Sequence, residues 1–522
     1  MSDTELATRT VHDVLQEKVA RDGNRTFLFF EDREFGYADI DIASDRVAAA
    51  CQRLGLGKGD KAAIMLANRP EYLFIWFGLS KIGALEVPLN TAHKGELLSY
   101  MIDRADCRVI FIEKEFVPAL NEVLDGLGKL DHVIVLDAAG ALDVGALGVD
   151  YDAFLDGAQH PEKVVVTGMD PAVIVFTSGT TGPSKGSVLP HNYPLFMGDV
   201  VCDMGRYSPD DRLLNALPLF HGNAQFLSTV PALQSGAQMV LERRFSATTF
   251  WDTVRRFECT EFNYIGGILS ILLKADPAPG DVDNPLRVMV GAGAPPNRFD
   301  EFEQRFDVRL IEGYGMSEIG IPLSNTMEDR KPGSCGKPHA GYELMVIDDD
   351  GREAGPDIPG ELLIRPGGRY RMMLEYYGMP EKTVEAWRDL WFHTGDYLSY
   401  DKAGYFYFAD RKKDALRRRG ENISSFEVER TVLSHEAILE CAAVAVPSEL
   451  GEDEVMICLT LKDGHSLDPA AFVAFCEERM AGFMVPRYVR VLDALPKTPT
   501  ERIQKYLLRQ QGVTDDTYDR EA

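Results

Sequence analysis

The sequence is short of several features that would each announce a class of protein. Its eight cysteines, at 51, 107, 202, 259, 335, 441, 458 and 476, form no C-x-x-C pair and share no zinc-ligand spacing with histidine. This excludes a disulfide framework or a zinc site as the organising feature, and it points to scattered core thiols in a reducing compartment. Long apolar runs are also missing. The window YLFIWFGL at 72–79 is far short of the roughly 20 residues of a membrane span. The opening MSDTELATRTVHDVLQEK carries early acids and no apolar segment, so a secretory signal is not expected. Positive charge is scarce: 55 Lys and Arg stand against 82 Asp and Glu, a formal net charge of −27. Such a field repels nucleic acid and anionic lipid. The expectation is a cytoplasmic protein with no nucleic-acid partner and no stable membrane insertion.

What is present is an ordinary globular composition, 45% hydrophobic and 26% charged over 522 residues. That length calls for more than one domain. Short apolar runs alternate with helical patterns: KAAIML (61–66), then PEYLFIWFGLSKIG (70–83), ALEVPLN, GELLSYMIDRA, CRVIFI and HVIVLD. The rhythm returns in PAVIVFTS (171–178), QMVLERRF (238–245) with a helix at 246–257, and LRVMVGAGAPP (286–296). Such β-α-β alternation implies largely parallel sheets with helices on their faces. Between 340 and 365 the pattern becomes antiparallel around a DDDG turn. Past Asp410 the chain turns to shorter helix and strand units after a basic run, DRKKDALRRRG. The predicted fold is α/β: a large N-terminal domain, 1–410, of mostly parallel sheets with flanking helices and a small antiparallel β region, then a small mobile α+β domain, 411–522.

FTSGTTGPSKG at 176–186 places hydroxyls, glycines and a lysine directly after a buried strand. It is not a Walker A loop. Four residues on from Gly179 stands Ser184 rather than glycine, and Lys185 is followed by Gly186 rather than Ser or Thr. It is still suited to phosphate: glycines let backbone N–H groups turn toward an anion, Thr177, Ser178, Thr180 and Thr181 donate hydrogen bonds, and Lys185 adds charge. An ordinary surface turn is the bland alternative.

Further segments follow in order: PLFHG (218–222), GAGAPP (291–296), EGYGMSE (312–318), WFHTGDYLSYDKAGYFYFADRKKD (391–414) and PKTPTERIQK (496–505). Together with TSGTTGPSKG they resemble the adenylate-forming superfamily of acyl-CoA synthetases, nonribosomal-peptide adenylation domains and luciferases. The resemblance covers most of the chain and is nearest to the crotonobetaine/carnitine-CoA-ligase-like members of the acyl-CoA synthetase branch. It implies a phosphate cradle for ATP made by Thr177, Ser178, Gly179, Thr180, Thr181 and Lys185. It implies an acyl-pocket gate at His221, and a nucleotide site from Gly291, Ala292, Glu312, Gly313, Tyr314, Gly315 and Met316, with Tyr314 stacked on adenine. Ser317 would face the α-phosphate, and Glu318 with Thr177 would hold Mg²⁺, for which hard oxygen ligands are apt. Asp396 would accept both ribose hydroxyls. Arg411 would reach ribose or phosphate, Lys413 would be the hinge, and Gly420 would admit the pantetheine of coenzyme A. Arg417–Arg419 would be candidates for the CoA phosphates, and they read equally as a solvated helix face.

The family's late lysine loop is altered. Glu501 stands at the expected glycine and Arg502 at the expected lysine, with Lys505 at the second basic position. Arginine keeps the charge but not the geometry, so either Arg502 or Lys505 serves, or adenylation is weak. The activity implied is an ATP-dependent carboxylate–CoA ligation through an acyl-AMP, releasing AMP and pyrophosphate. The alternatives are loading of a carrier-protein thiol and an adenylate-binding protein with impaired catalysis. The partners implied are a small carboxylic acid, ATP and CoA, with a homodimer left open. The acyl pocket is expected to involve Asn223, Ala224, Gln225, Tyr264, Gly266, Gly267 and 319–323, its amides arguing against a purely apolar chain.

Overall fold

The computed structural model describes residues 8–522 apart from 139, 141, 143, 178–182, 295, 349, 412–414, 449–451, 463 and 498–502. Two large sheets dominate. One has eight strands, in the order Glu375–Tyr376, Lys185–Pro190, Pro171–Thr177, Leu85–Pro88, Lys61–Met65, Cys107–Glu113, His132–Leu136 and Gly148–Asp150. From Pro171–Thr177 outward its neighbours run parallel, while Lys185–Pro190 and Glu375–Tyr376 are antiparallel additions at one edge. The second sheet has nine strands, with Thr26–Phe30, Gln238–Leu241, Arg212–Asn215, Glu261–Ile265, Val288–Ala292 and Arg309–Met316 parallel at its centre. Strands that are covered on both faces read as continuous apolar runs, which is why KAAIM and VIVL need no alternation.

The helix Pro70–Ile82 follows its strand as the spacing predicts. Proline occupies its first turn, and Gly83, at φ 68°, takes the left-handed cap whose N–H donates to Leu79 and Ser80. It lies with Tyr37–Arg53 and Asn192–Gly205 in one apolar core that contacts both sheets. Each Leu, Ile or Phe buried there contributes about 1.5–3 kcal/mol. The expected antiparallel region is a four-stranded sheet of Tyr342–Ile347, Gly360–Pro366, Phe392–Tyr400 and Phe406–Arg411. QMVLERRF was expected to continue as strand to 245, but its strand ends at Leu241. There Glu242 donates its N–H to Asn215 and accepts from Asn68 with its carbonyl, turning the chain out of the sheet.

A second, C-terminal domain follows the antiparallel sheet. It has a hairpin of Ala415–Arg418 and Glu421–Ser424, a four-stranded sheet, and the helices Ser425–Leu433, Pro469–Arg479 and Lys505–Gln511. Its buried apolar residues form clusters distinct from the large core. It touches the first domain at polar points, among them Arg430 to Glu96 at 2.8 Å and His221 to Glu421 at 2.8 Å.

Candidate active site

In open parallel sheets, ligands bind beyond the carboxyl ends of the strands. Here the ends of Arg212–Asn215, Gln238–Leu241, Glu261–Ile265 and Val288–Ala292 feed loops into one cavity of about 1730 Å³. Of the residues the motifs single out, Thr177, Lys185, His221, Gly291, Ala292, Glu312, Gly313, Tyr314, Gly315, Met316, Ser317, Glu318, Asp396 and Gly420 all line it. Arg411 lies opposite Asp396 in the strand pairing. Ser178, Gly179, Thr180, Thr181, Lys413 and Arg502 fall outside the described residues.

The nucleotide end is built on close backbone approaches. A Cβ on Gly266 would lie 1.7 Å from the Gly293 carbonyl oxygen, and one on Gly291 2.2 Å from that of Tyr264, so only glycine fits where these turns meet. Glu312 is buried and accepts from the Ala294 N–H at 2.8 Å. Burial pushes its carboxyl up to about 7, against the pull of the Ala294 and Gly293 N–H groups. Tyr314 donates its hydroxyl to Asp396 Oδ2 at 2.8 Å, which orients that buried carboxylate at the cavity wall.

The strands Pro171–Thr177 and Lys185–Pro190 form the arms that flank the glycine-rich loop. At their ends Thr177 donates to Glu318 Oε1 at 2.9 Å, and Tyr376 donates to the same oxygen at 3.1 Å. Lys185 Nζ lies 4.1 Å from the Tyr376 ring centroid, a cation–π contact. Tyr376 escaped the sequence reading. It sits in a two-residue strand that pairs with Ser187, and neither a motif nor a periodicity marks it.

At the other end, the hairpin 415–424 of the small domain closes on the cavity. Gly420 has φ 81°, and a Cβ there would lie 2.2 Å from Ile265 Cδ1. The next residue, Glu421, shares a hydrogen bond with His221 Nε2 at 2.8 Å. Burial raises the Glu421 carboxyl, but His221 and His93 together hold it below its ordinary range. His93 is itself lowered to about 4 by burial. The contact of Glu421 with His221 carries no local sequence signal, because it is made between domains. Of the three consecutive arginines, Arg418 is internal to the small domain. It is 1% exposed, lies 2.6 Å from Glu454, and donates to the Val485 carbonyl. Arg417 and Arg419 line the cavity. Lys505 does not line it. Its ammonium lies 2.6 Å from Glu429 and donates to Ser425 Oγ at 2.8 Å, within the small domain.

The acyl end corrects one expectation. After His221 the chain forms a π-helical stretch, Asn223–Thr229, a rare geometry found mostly at functional sites. Its wider turn leaves Asn223 at the cavity but sends Gln225 into the core. There the amide of Gln225 donates to Glu86 Oε1 at 2.8 Å and to the Leu219 carbonyl. Gln225 therefore gives the pocket no polarity.

The family model described as AMP-binding enzyme matches residues 15–377, and that of the AMP-binding enzyme C-terminal domain matches 427–502. The chain belongs to the AMP-binding enzyme family. Among curated relatives it is 32% identical over 497 residues to the crotonobetaine/carnitine–CoA ligase of Salmonella typhimurium, covering 93% of this chain and 96% of the relative. Among solved structures, an anthranilate CoA ligase in complex with anthranoyl-AMP matches with TM-score 0.74 at 26% identity, over 98% of this chain and 99% of that one. An o-succinylbenzoate CoA synthetase from Bacillus subtilis, bound to a product analogue, matches in fold with TM-score 0.83 at 24% identity, over 97% and 99%. The activity is that of an AMP-forming acyl-CoA synthetase, an ATP-dependent acid–CoA ligation by way of an acyl-adenylate.

Proposed function

We propose that both half-reactions run in this one cavity, with the small domain exchanging the segment it presents. The observation that carries this reading is that the nucleotide segments 291–294 and 312–318 and the hairpin residues Arg417, Arg419, Gly420 and Glu421 line the same space. In the first step the substrate carboxylate attacks the α-phosphorus of ATP. Asp396, oriented by Tyr314, holds the ribose. Lys185 and the hydroxyls of the 177–181 loop hold the phosphates of the departing pyrophosphate. Arg502, delivered by the 496–505 loop, offsets charge at the α-phosphate. A positive group fixed in advance where charge develops stabilises the transition state without reorganising, which is why such groups weigh heavily in rate. Lys505, which here pairs with Glu429 and Ser425, is the other candidate for that role.

Glu318 with Thr177 is a set of hard oxygen donors suited to Mg²⁺, and phosphate oxygens would complete it. Among the described residues no cluster of three or more His, Cys, Asp or Glu could hold a metal alone, so the ion would arrive with the nucleotide. Bound there, it would neutralise phosphate charge.

In the second step the thiol of CoA attacks the adenylate carbonyl. Gly420 gives the pantetheine arm room, and Glu421 holds His221 aside. We place the domain boundary at 410/411 and the pivot at Lys413. All eight cysteines are free thiols, which supports a reducing, cytoplasmic setting.

Alanine at Arg502 and at Lys505, each assayed for ATP–pyrophosphate exchange and for thioester formation from the adenylate, tests the assignment. Arg502→Ala is expected to slow exchange by about 100-fold, with the thioester step changed far less. Lys505→Ala should leave exchange nearly intact. Full exchange by Arg502→Ala would refute the role.

A further inference from the structure

We propose that Glu427 is a positioning residue that ties the small domain to the phosphate loop by taking the donors of Ser184, so that bound pyrophosphate and the present domain arrangement exclude each other. The proposal rests on the domain-exchange reading above and names the contact that couples the departure of pyrophosphate to that exchange. Glu427 stands in the first turn of the helix Ser425–Leu433, where an acid suits the positive end of the helix dipole. That effect alone would be met by a carboxylate in solvent. Glu427 reaches the other domain instead. Its Oε1 accepts from the Ser184 N–H at 3.1 Å and from the Ser184 hydroxyl.

Ser184 closes the glycine-rich segment, one residue before Lys185. It is 2% exposed, and all three of its polar groups are engaged. Besides the two donors given to Glu427, its carbonyl accepts from Tyr100 Oη at 2.9 Å. Tyr100 meets Phe176, on the strand that leads into the loop, edge to face at 6.3 Å between centroids. The helix Gly95–Arg104 that carries Tyr100 also carries Glu96, the partner of Arg430. Glu427 and Arg430 are three residues apart and share a helix face. Glu429 turns the other way, to Lys505 at 2.6 Å and to the Ala443 N–H at 2.7 Å. One face of this helix therefore serves the loop and its neighbouring helix, and the other serves the small domain itself.

This contact and phosphate binding compete for the same groups. An N–H has one hydrogen to give, so that of Ser184 serves either the carboxylate or a phosphate oxygen. The carboxylate adds repulsion, because pyrophosphate beside it brings like charges together. Burial raises the Glu427 carboxyl, and the Ser184 donors and Arg430 pull it back down. The carboxylate is thus held by the loop as much as it holds it. When a phosphate takes the Ser184 donors, Glu427 is left buried without them, a costly state that is relieved by swinging the helix away. When pyrophosphate leaves, the donors are returned and the small domain docks with its hairpin at the cavity.

The test uses inorganic pyrophosphate with Mg²⁺, titrated against the whole protein by calorimetry, and AMP as a second probe. Glu427→Ala is expected to bind pyrophosphate about tenfold more tightly, because the competing bonds to a charged acceptor are gone, with AMP affinity within about a factor of two. Glu427→Gln keeps the shape, loses the charge and should gain at least about threefold; it decides the matter if the alanine variant does not fold. Arg430→Ala breaks only an exposed ion pair on the same helix and should shift pyrophosphate affinity by less than about threefold. No gain in either Glu427 variant, or pyrophosphate bound by none of these proteins, overturns the proposal. So does an equal gain in Arg430→Ala, or an equal gain for AMP, since either would show a general loosening rather than competition at Ser184. Fluorophores on Val165→Cys and Leu439→Cys, both exposed positions, follow the two domains. Energy transfer between them is expected to change on adding pyrophosphate, and at lower pyrophosphate when Glu427→Ala is present. Tighter binding with an unchanged distance would sink the domain-exchange reading and leave the competition at Ser184 standing.

Discussion

Glu86 carries no solvent exposure and lies in the strand Leu85–Pro88, where it accepts from Tyr72 Oη at 2.8 Å and from Gln225 Nε2 at 2.8 Å. Burial pushes its carboxyl from an ordinary 4.5 up to about 8. Between those values the unfolded chain ionises at this group and the folded chain keeps its proton. Stability at this group therefore falls as pH rises from 4.5 to about 8, by roughly 1.4 kcal/mol per unit, and is level above. Glu86→Gln retains an acceptor for Tyr72 and Gln225 and removes the titration. Its melting temperature should accordingly gain on the unsubstituted protein between pH 5 and pH 8 in scanning calorimetry, and parallel curves would show that the group does not titrate as argued. Gln225 was legible as a polar residue after a histidine gate. Its inward direction was not legible, since it depends on a π-helical turn that no residue pattern announces.

At the scale of elements, the hairpin 415–424 joins the two domains chemically. Its turn carries Arg419 at φ 54° and Gly420 at φ 81°. An alanine at 420 would bear the left-handed strain of roughly 1–2 kcal/mol and would press on Ile265. Gly420→Ala should slow thioester formation about tenfold while leaving pyrophosphate exchange within a factor of two or so. Equal losses in both would mean that the hairpin supports the whole site rather than the CoA step. The apolar runs read between 61 and 136 are followed by strands and helices nearly residue for residue, because strands buried on both faces and a Pro-to-Gly bounded helix are written locally. QMVLERRF shows the limit of such reading. Its strand stops at Leu241 because a neighbouring backbone takes up Glu242.

At the scale of the molecule, the two domains meet through hydrogen bonds, ion pairs and a few apolar contacts such as Leu97 on the small domain's core, and each has its own apolar core. Such interfaces favour relative motion over permanent docking. If Lys413 is the pivot, Lys413→Pro restricts its φ and should reduce the two half-reactions unequally, by at least about tenfold in one of them. Separate assays of exchange and of thioester formation check this, and matched losses would move the pivot elsewhere.

The sequence by itself determined the parallel-sheet frame, because apolar strands and glycine turns are short-range features with fixed residue requirements, and its resemblance to the adenylate-forming superfamily supplied the adenylate chemistry. It also exposed the substitution of Arg502 for the expected lysine. Tertiary structure alone decided which polar residues line the cavity and how they are paired. Tyr376 meets Glu318 across 58 positions, His221 meets Glu421 across 200, and Gln225 turns to Glu86 across 139. Partnerships at that range come from how sheets and domains pack, and packing fixes the direction of a side chain only after the whole chain has folded.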